Sequence, residues 1–225
     1  MAAASIIGTV TGCSSDDKAN TASSTTGPDN AKTASSAEGS TAAFRGLGDD
    51  QSITTKEYVG AVAGSEIYAA FAISRKNSGD ALAGGQAYFC DGKSIANWFT
   101  LVDKGGKMQF VGSSGDTFDA ELADGKITAK VTLGGKSYDV TAANVAANGE
   151  AGLYLADHAI EPDLANNERG GWIVLPDGTQ RGAIRGGTTV LPGTTLKAGT
   201  TNVIVGGRDI LLRAISEIIG LDKKD

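Results

Sequence analysis

The side chains best suited to chemistry in this chain of 225 residues gather around its single histidine. Six polar residues in one segment form the candidate binding loop: Asp157, His158, Glu161, Asp163, Glu168 and Arg169. A histidine next to carboxylates can serve as a general acid–base pair or can bind a metal ion. Ordinary solvent-exposed loops have the same composition, although loops are also where binding function concentrates. The pattern therefore predicts a binding loop, and we assign no catalytic residue and no metal ligand to it.

Cys90 is a candidate nucleophile, because a thiolate can attack carbonyl and disulfide groups. A catalytic cysteine generally requires a histidine base, and His158 is the only histidine of the chain. The flanking residues Tyr88 and Phe89 place Cys90 in an apolar strand, where a free cysteine packs like a small hydrophobic residue. We therefore predict that Cys90 is buried and structural.

The sequence predicts no nucleotide, no nucleic acid and no cofactor among the ligands of this protein. Gly92-Lys93-Ser94 has the ending of a phosphate-binding P-loop, but Ala87 stands where that motif requires its first glycine. The balance of 20 Lys and Arg against 26 Asp and Glu is acidic, which disfavours binding to nucleic acid phosphates. One histidine and two cysteines are too few for a zinc cage or an iron–sulfur cluster.

The N-terminus, MAAASIIGTVTGC, is an apolar stretch that leads to Cys13. Val10-Thr11-Gly12-Cys13 resembles the lipobox of bacterial lipoproteins, in which an aliphatic residue and small residues precede an acylated cysteine. The resemblance implies a lipid on Cys13 and a domain held at the outer face of the bacterial cytoplasmic membrane, or secreted. The basic region of a secretory signal is missing, which predicts a start codon further upstream or a shortened terminus. The alternative is a flexible N-terminal remnant with an incidental cysteine.

A polar tether is predicted between Ser14 and Ala43. This segment contains no Val, Ile, Leu, Met, Phe, Tyr or Trp, and consists mainly of Ser, Thr and Ala. Such a stretch cannot bury enough apolar area to offset the entropy lost on ordering, so we expect a disordered linker. As a flexible coil it would span about 30 Å, which is enough to hold a domain away from a membrane surface.

The folded part is predicted to be mainly β, because apolar and polar residues alternate from Tyr58 onwards. Asp124-Gly125 and Gly134-Gly135 separate such runs, and these pairs favour tight hairpin turns in which both central residues need positive φ. Residues 107–142 are therefore predicted to form a four-stranded antiparallel meander. Six further strands are predicted at Tyr58–Val62, Glu66–Ser74, Gln86–Cys90, Gly152–Leu155, Trp172–Leu175 and Thr179–Ile184. Together they indicate a small barrel or sandwich of about ten strands.

One short helix is predicted over residues 94–100. The segment has apolar residues at helical spacing, and Ser94 is a suitable N-cap. We expect the helix to cover one end of the β domain with Trp98 as a core plug; the alternative is an exposed ligand platform.

The C-terminus fits two structures. Ile210 to Ile219 carries a helical stripe of apolar residues, and Gly220 is placed to end such a helix. Val203 to Leu212, with Gly206-Gly207 between two apolar runs, also fits a hairpin. Periodicity alone does not choose between them.

Three segments resemble a secreted β-module that is common in high-GC Gram-positive bacteria, usually behind a signal peptide and a Ser/Thr-rich linker. They are Ala87-Tyr88-Phe89-Cys90-Asp91-Gly92 followed by Trp98, Ala151-Gly152-Leu153-Tyr154, and Gly171-Trp172-Ile173-Val174-Leu175-Pro176-Asp177-Gly178-Thr179-Gln180. The likeness covers residues 57–214, and the chain departs from it at 157–170 and in its isoleucine-rich tail. The module has no assigned activity, so the resemblance implies no catalytic residue, and it favours a final strand at Ile210–Ala214.

The sequence thus predicts four parts: a signal peptide remnant with the lipobox (1–13), the linker (14–43), the β domain (44–215) and a tail or short helix (216–225). The predicted function is that of a cell-envelope lipoprotein with a non-enzymatic β domain, which binds a ligand, a polymer or another envelope protein. The alternative is an extracytoplasmic hydrolase that uses the loop around His158.

Overall fold

The computed structural model describes residues 53–77, 81–146, 149–197 and 200–221, with side chains up to Ile218. All of them fall within one unit of the chain, Ala37–Asp225. The lipobox-like segment with Cys13 and the predicted linker lie outside the described residues. None of the helices in the described ranges is long and apolar enough to cross a membrane.

Eight antiparallel strands form a closed barrel in which each strand pairs with the next and β8 returns to pair with β1. The strands are β1 (Ile53–Ala61), β2 (Tyr68–Lys76), β3 (Leu82–Cys90), β4 (Ala96–Asp103), β5 (Met108–Gly112), β6 (Thr117–Ala123), β7 (Lys126–Leu133) and β8 (Lys136–Val145). The predicted meander at residues 107–142 is confirmed as β5 to β8. Its turns are confirmed too, because Asp124 and Gly125, between β6 and β7, both have positive φ, at 51° and 71°.

The barrel interior is filled by aromatic side chains. Five fully or almost fully buried phenylalanines from β2 to β6 meet there, mostly edge to face: Phe71, Phe89, Phe99, Phe110 and Phe118. Aliphatic residues from β7 and β8, such as Ile127 and Val140, complete the core. The alternation seen in the sequence is the alternation between this interior and the outer wall of the barrel.

The predicted helix at 94–100 is wrong, because this segment is strand β4. Phe99 and Leu101 of β4 enter the barrel core, whereas Ala96 packs on the outside against a second sheet. Both faces are covered at the beginning of β4, where Ala96 and Trp98 pack on the outer side, so the apolar–polar alternation is lost there and the spacing looks helical. Ser94 does not cap a helix; instead, the Asp91 carboxylate accepts hydrogen bonds from backbone N–H groups of the turn that leads into β4.

A second sheet of five strands, in the order β12-β11-β10-β9-β15, packs on the outer wall of the barrel. Its strands are β9 (Gly152–Asp157), β10 (Glu168–Val174), β11 (Gln180–Gly186), β12 (Thr189–Pro192) and β15 (Arg213–Ala214). Small residues such as Ala70, Ala72 and Ala183 form much of this contact and allow the two layers to approach closely. The domain therefore combines a barrel with a packed sheet, and the described residues form fifteen strands rather than about ten.

The C-terminal segment contains both structures that its sequence allows. A hairpin of β13 (Asn202–Val205) and β14 (Arg208–Leu211) comes first, and the short helix α1 (Ile215–Leu221) follows β15. The hairpin covers the face of the second sheet that points away from the barrel, and it packs around the buried Trp172. The favoured strand at Ile210–Ala214 is therefore two shorter strands, β14 and β15.

Candidate functional site

The predicted polar loop connects β9 to β10, and its carboxylates bind backbone N–H groups. Asp157, the last residue of β9, accepts from the N–H groups of Ala159 at 3.0 Å and Ile160 at 3.2 Å, which shapes the turn. Glu161 accepts from Asp163 N at 3.3 Å with one oxygen and from Leu211 N at 3.1 Å with the other. Glu161 thus ties the loop to β14, far away in the sequence.

His158 is bonded to a carbonyl of its own loop. Its Nδ1 lies 2.7 Å from the backbone oxygen of Leu164, so Nδ1 carries the proton and donates. Leu164 is 1% exposed and packs with the hairpin side of the second sheet. Cys90, in contrast, packs between the barrel and the second sheet. Cys90 is thus buried between the two layers, whereas His158 is an exposed residue of the loop between β9 and β10.

Glu168 and Arg208 form a bidentate ion pair between β10 and β14. Both distances from the guanidinium nitrogens to the carboxylate oxygens are 2.9 Å, and Glu168 also accepts from Ala165 N at 3.0 Å. The hydrogen bonds from Arg208 hold the pKa of the Glu168 carboxyl below its usual value. This pair, like Glu161, fastens the C-terminal hairpin to the loop.

Arg169 points to the opposite side, towards the barrel. Its guanidinium lies 3.7 Å from the centre of the Trp98 ring and donates to Gln86 Oε1 at 2.6 Å. Burial lowers the pKa of Arg169 to about 9, while the charge of Asp157, its register partner on β9, acts in the opposite direction. Trp98 is therefore a half-buried ring that packs against the core between the layers, stacked on Tyr88 at 4.4 Å, and it belongs to strand β4 rather than to the predicted helix.

The six predicted loop residues thus form several contacts rather than one chemical cluster. Among the residues that the structure describes, no group of three or more His, Cys, Asp and Glu side chains is arranged to hold a metal ion. The assignment of the loop as a binding site stays a prediction. What the loop does in the fold is to connect β9, β10 and the hairpin.

Cys90 lies in a closed environment. Its side chain is 0% exposed, and its sulfur accepts a hydrogen bond from Gly92 N at 3.3 Å. Burial raises the pKa of the thiol, which suppresses the reactive thiolate. These observations agree with the structural role predicted for Cys90.

Two further arginines, which sequence reasoning missed, fasten β11 to the barrel. Arg185 donates from Nε to Ala96 O at 2.8 Å and from its guanidinium to Asn97 Oδ1 at 3.0 Å. Arg181 lies over the Tyr68 ring at 4.9 Å from its centre. Their spacing along β11 puts both on one face, but only the tertiary structure reveals that this face meets the barrel.

A polar groove lies at the end of the barrel where the described chain begins. The β1–β2 groove, as we call it, has a volume of about 660 Å³ and is lined by Thr54, Lys56, Tyr58, Ile73, Arg75, Lys76 and Asn77. Among the residues that the structure describes, β8 pairs with β1 from Glu57 to Val59, and the preceding residues of β1 pair with β2. The groove was missed from sequence, because its cations stand at scattered positions of two ordinary strands.

In comparisons with known proteins, no family model, no curated protein and no solved structure matches the chain. The resemblances to a lipobox and to a secreted β-module therefore stay predictions.

Proposed function

We propose that this protein is a cell-envelope lipoprotein whose β domain binds a ligand, a polymer or another envelope protein without catalysing a reaction. Val10-Thr11-Gly12-Cys13 and the polar segment after it support the anchor, because they have the order of an acylation site followed by a tether. The partners are the membrane, through the lipid on Cys13, and an envelope component outside the cytoplasmic membrane. Neither a nucleotide nor a nucleic acid belongs to this proposal.

The hydrogen bonds of the polar loop between β9 and β10 are the observation that supports a binding role. Catalysis by His158 would require a carboxylate or a nucleophile held against it. Nδ1 of His158 donates to the Leu164 carbonyl, and Glu161 and Glu168 are bonded to Leu211 and Arg208. These contacts position the side chains of the loop, which suits a surface that binds a partner.

The anchor is tested in the bacterial envelope with a complete signal sequence added to the chain. The wild-type protein should partition into the detergent phase and carry lipid on Cys13, because two acyl chains give stable membrane anchoring. Cys13→Ala should move to the aqueous phase. Cys90→Ala is the matched control, and it should remain in the detergent phase. Equal membrane association of wild type and Cys13→Ala would refute the anchor.

The hydrolase alternative is tested at His158. The non-enzymatic proposal expects His158→Ala to keep the cellular phenotype of the gene, whereas deletion of residues 158–167 should impair partner binding. Circular dichroism of the purified variants checks that the β structure is retained. A lost phenotype in folded His158→Ala protein would replace the binding proposal with the hydrolase.

A further inference from the structure

The chain contains three Asp-Gly pairs: Asp91-Gly92, Asp124-Gly125 and Asp177-Gly178. All three lie in turns that the structure describes. An aspartate before glycine can rearrange, because the glycine carries no side chain that would hinder an attack of its N on the aspartyl Cγ. The first two pairs are each followed by a lysine, so the residues next in sequence do not distinguish them. The fold, however, treats the three pairs differently.

Hydrogen bonds hold both reacting groups of Asp91-Gly92. The Asp91 Oδ1 atom accepts from three backbone N–H groups of its own turn, each at 2.8 Å. Burial raises the pKa of Asp91, but these hydrogen bonds outweigh burial and lower it overall. A lowered pKa slows the rearrangement, because a carboxylate has no hydroxyl group to lose. The nucleophile is held as well, since Gly92 N donates to Cys90 Sγ at 3.3 Å.

The Asp177-Gly178 pair is held in the same way. The Asp177 Oδ1 atom accepts from Thr179 N at 2.9 Å and from Thr179 Oγ1 at 2.6 Å, and these bonds lower the pKa of Asp177. Gly178 N donates to Leu175 O at 2.9 Å. In both turns, therefore, hydrogen bonds must break before the glycine N can reach the aspartyl Cγ.

The Asp124-Gly125 turn between β6 and β7 leaves both reacting groups free. Among the residues that the structure describes, none donates a hydrogen bond to the Asp124 carboxylate and none accepts one from Gly125 N. Both residues are exposed. Asp124 also has a φ of 51°, a left-handed conformation that costs free energy in an L residue. The rearrangement at this turn thus starts from a strained residue with no hydrogen bond to break.

We propose that Asp124 is a site of isoaspartate formation in the folded protein. Gly125 N forms a bond with Asp124 Cγ, and the carboxyl hydroxyl leaves with the amide proton as water, which yields a five-membered imide. Water then adds to one of the two imide carbonyls. Opening at the main-chain carbonyl leaves Gly125 attached through the Asp124 side chain, and opening at Cγ restores aspartate. The reaction requires only water and is independent of the proposed function.

The product lengthens the backbone of this turn by one carbon atom. Gly125 O accepts from Asn144 N at 3.0 Å, and Asn144 pairs with Tyr58 where β8 closes the barrel on β1. The Asn144 side chain also donates from Nδ2 to Glu57 O at 3.0 Å. A displaced turn should therefore weaken the contact between β8 and β1 at Asn144.

The test measures isoaspartate in the purified full chain, incubated in parallel in native buffer and in urea. Peptide mapping by mass spectrometry quantifies the product at each Asp-Gly pair. In the native protein, Asp124 should react at least about tenfold faster than Asp91, because each hydrogen bond to be broken slows the reaction about fivefold and more than one is broken there. In urea the two rates should become equal, since both pairs have the sequence Asp-Gly-Lys. Asp124→Glu should give no product at this turn, because it cannot form the five-membered ring.

Hydrogen exchange measures the consequence for the barrel. The amide of Asn144 should exchange faster in the isomerised fraction than in the starting protein. The amide of Gly112, which donates to Asp116 O in the turn at the other end of β6, is the matched control and should not change. Equal native rates at Asp124 and Asp91, no product at Asp124 in native buffer, or a preference for Asp124 that persists in urea would overturn the inference. Unchanged exchange at Asn144 would overturn the consequence for the contact between β8 and β1.

Discussion

Gly171 is where the second sheet approaches the barrel most tightly around Tyr88 and Trp98, and we expect Gly171→Ala to destabilise the domain. A Cβ on residue 171 would lie 2.5 Å from Tyr88 Cε1, 2.7 Å from Tyr88 Cζ and 2.8 Å from Trp98 Cζ2. Carbon atoms in contact normally lie about 3.5–4.0 Å apart, so the two rings would have to move by roughly 1 Å.

The Tyr88 ring is fully buried, and the Trp98 ring is packed on both faces. Tyr88 is 0% exposed and donates from its hydroxyl to Ala183 O at 3.3 Å, and Trp98 is held between Tyr88 and Arg169. Forcing an extra methyl group into a packed core costs about 1–3 kcal/mol, and losing the Tyr88 hydrogen bond adds about 1 kcal/mol. Replacing glycine by alanine also restricts the unfolded chain, which offsets about 0.4–1 kcal/mol. The net loss is about 2–3 kcal/mol.

The assay is thermal and urea unfolding, followed by circular dichroism and tryptophan fluorescence. A loss of 2–3 kcal/mol corresponds to a melting temperature lower by roughly 5–10 °C for a domain of this size. Gly149→Ala is the matched control, because the nearest atom to its Cβ would be Ala146 O at 3.4 Å. In a Tyr88→Leu background the cost of Gly171→Ala should shrink, since the ring that it meets is gone. An unchanged cost in that background, or a melting temperature equal to that of the control, would refute the packing argument.

Three further predictions concern single side chains. The side chain of Glu57 accepts a hydrogen bond from Leu153 N at 2.7 Å, and burial raises the pKa of its carboxyl. The stability that protonated Glu57 contributes is therefore present at low pH and is lost as the pH rises through the folded-state pKa. The unfolding free energy of Glu57→Gln, relative to wild type, should therefore increase between about pH 4 and about pH 7; a constant difference would contradict this. Arg208 lowers the pKa of Glu168, so Arg208→Gln should cost about 1 kcal/mol in urea unfolding near pH 7, and this cost should shrink as the pH falls through the lowered pKa of Glu168; a cost that stays constant on acidification would argue against the ion pair. Cys90 should react slowly with a thiol reagent until the protein unfolds, and Cys90→Ala should lose about 1–2 kcal/mol; rapid labelling of the native protein would reopen the catalytic hypothesis.

The polar loop illustrates the limit of sequence reasoning about sites. Composition alone drew attention to residues 157–169, and the loop does exist between β9 and β10. The partners of its side chains are distant in the chain, however, as Glu161 with Leu211 and Arg169 with Gln86 demonstrate. A sequence pattern cannot distinguish a carboxylate that binds a ligand from one that fastens a hairpin, because the difference lies in what folding brings next to it.

The sequence by itself determined the local structure of this protein, namely its strands and hairpin turns. Alternation with a period of two and turns such as Asp124-Gly125 defined the hairpins, because side-chain direction and positive φ are properties of neighbouring residues. The tertiary structure alone decided that β8 closes on β1, that a second sheet covers the beginning of β4, and that Lys56 and Arg75 lie on neighbouring strands at one end of the barrel. Closure and layer packing depend on contacts between residues far apart in the chain. Because the second sheet covers the outer face of β4 at its beginning, the alternation that would have identified a strand is lost there.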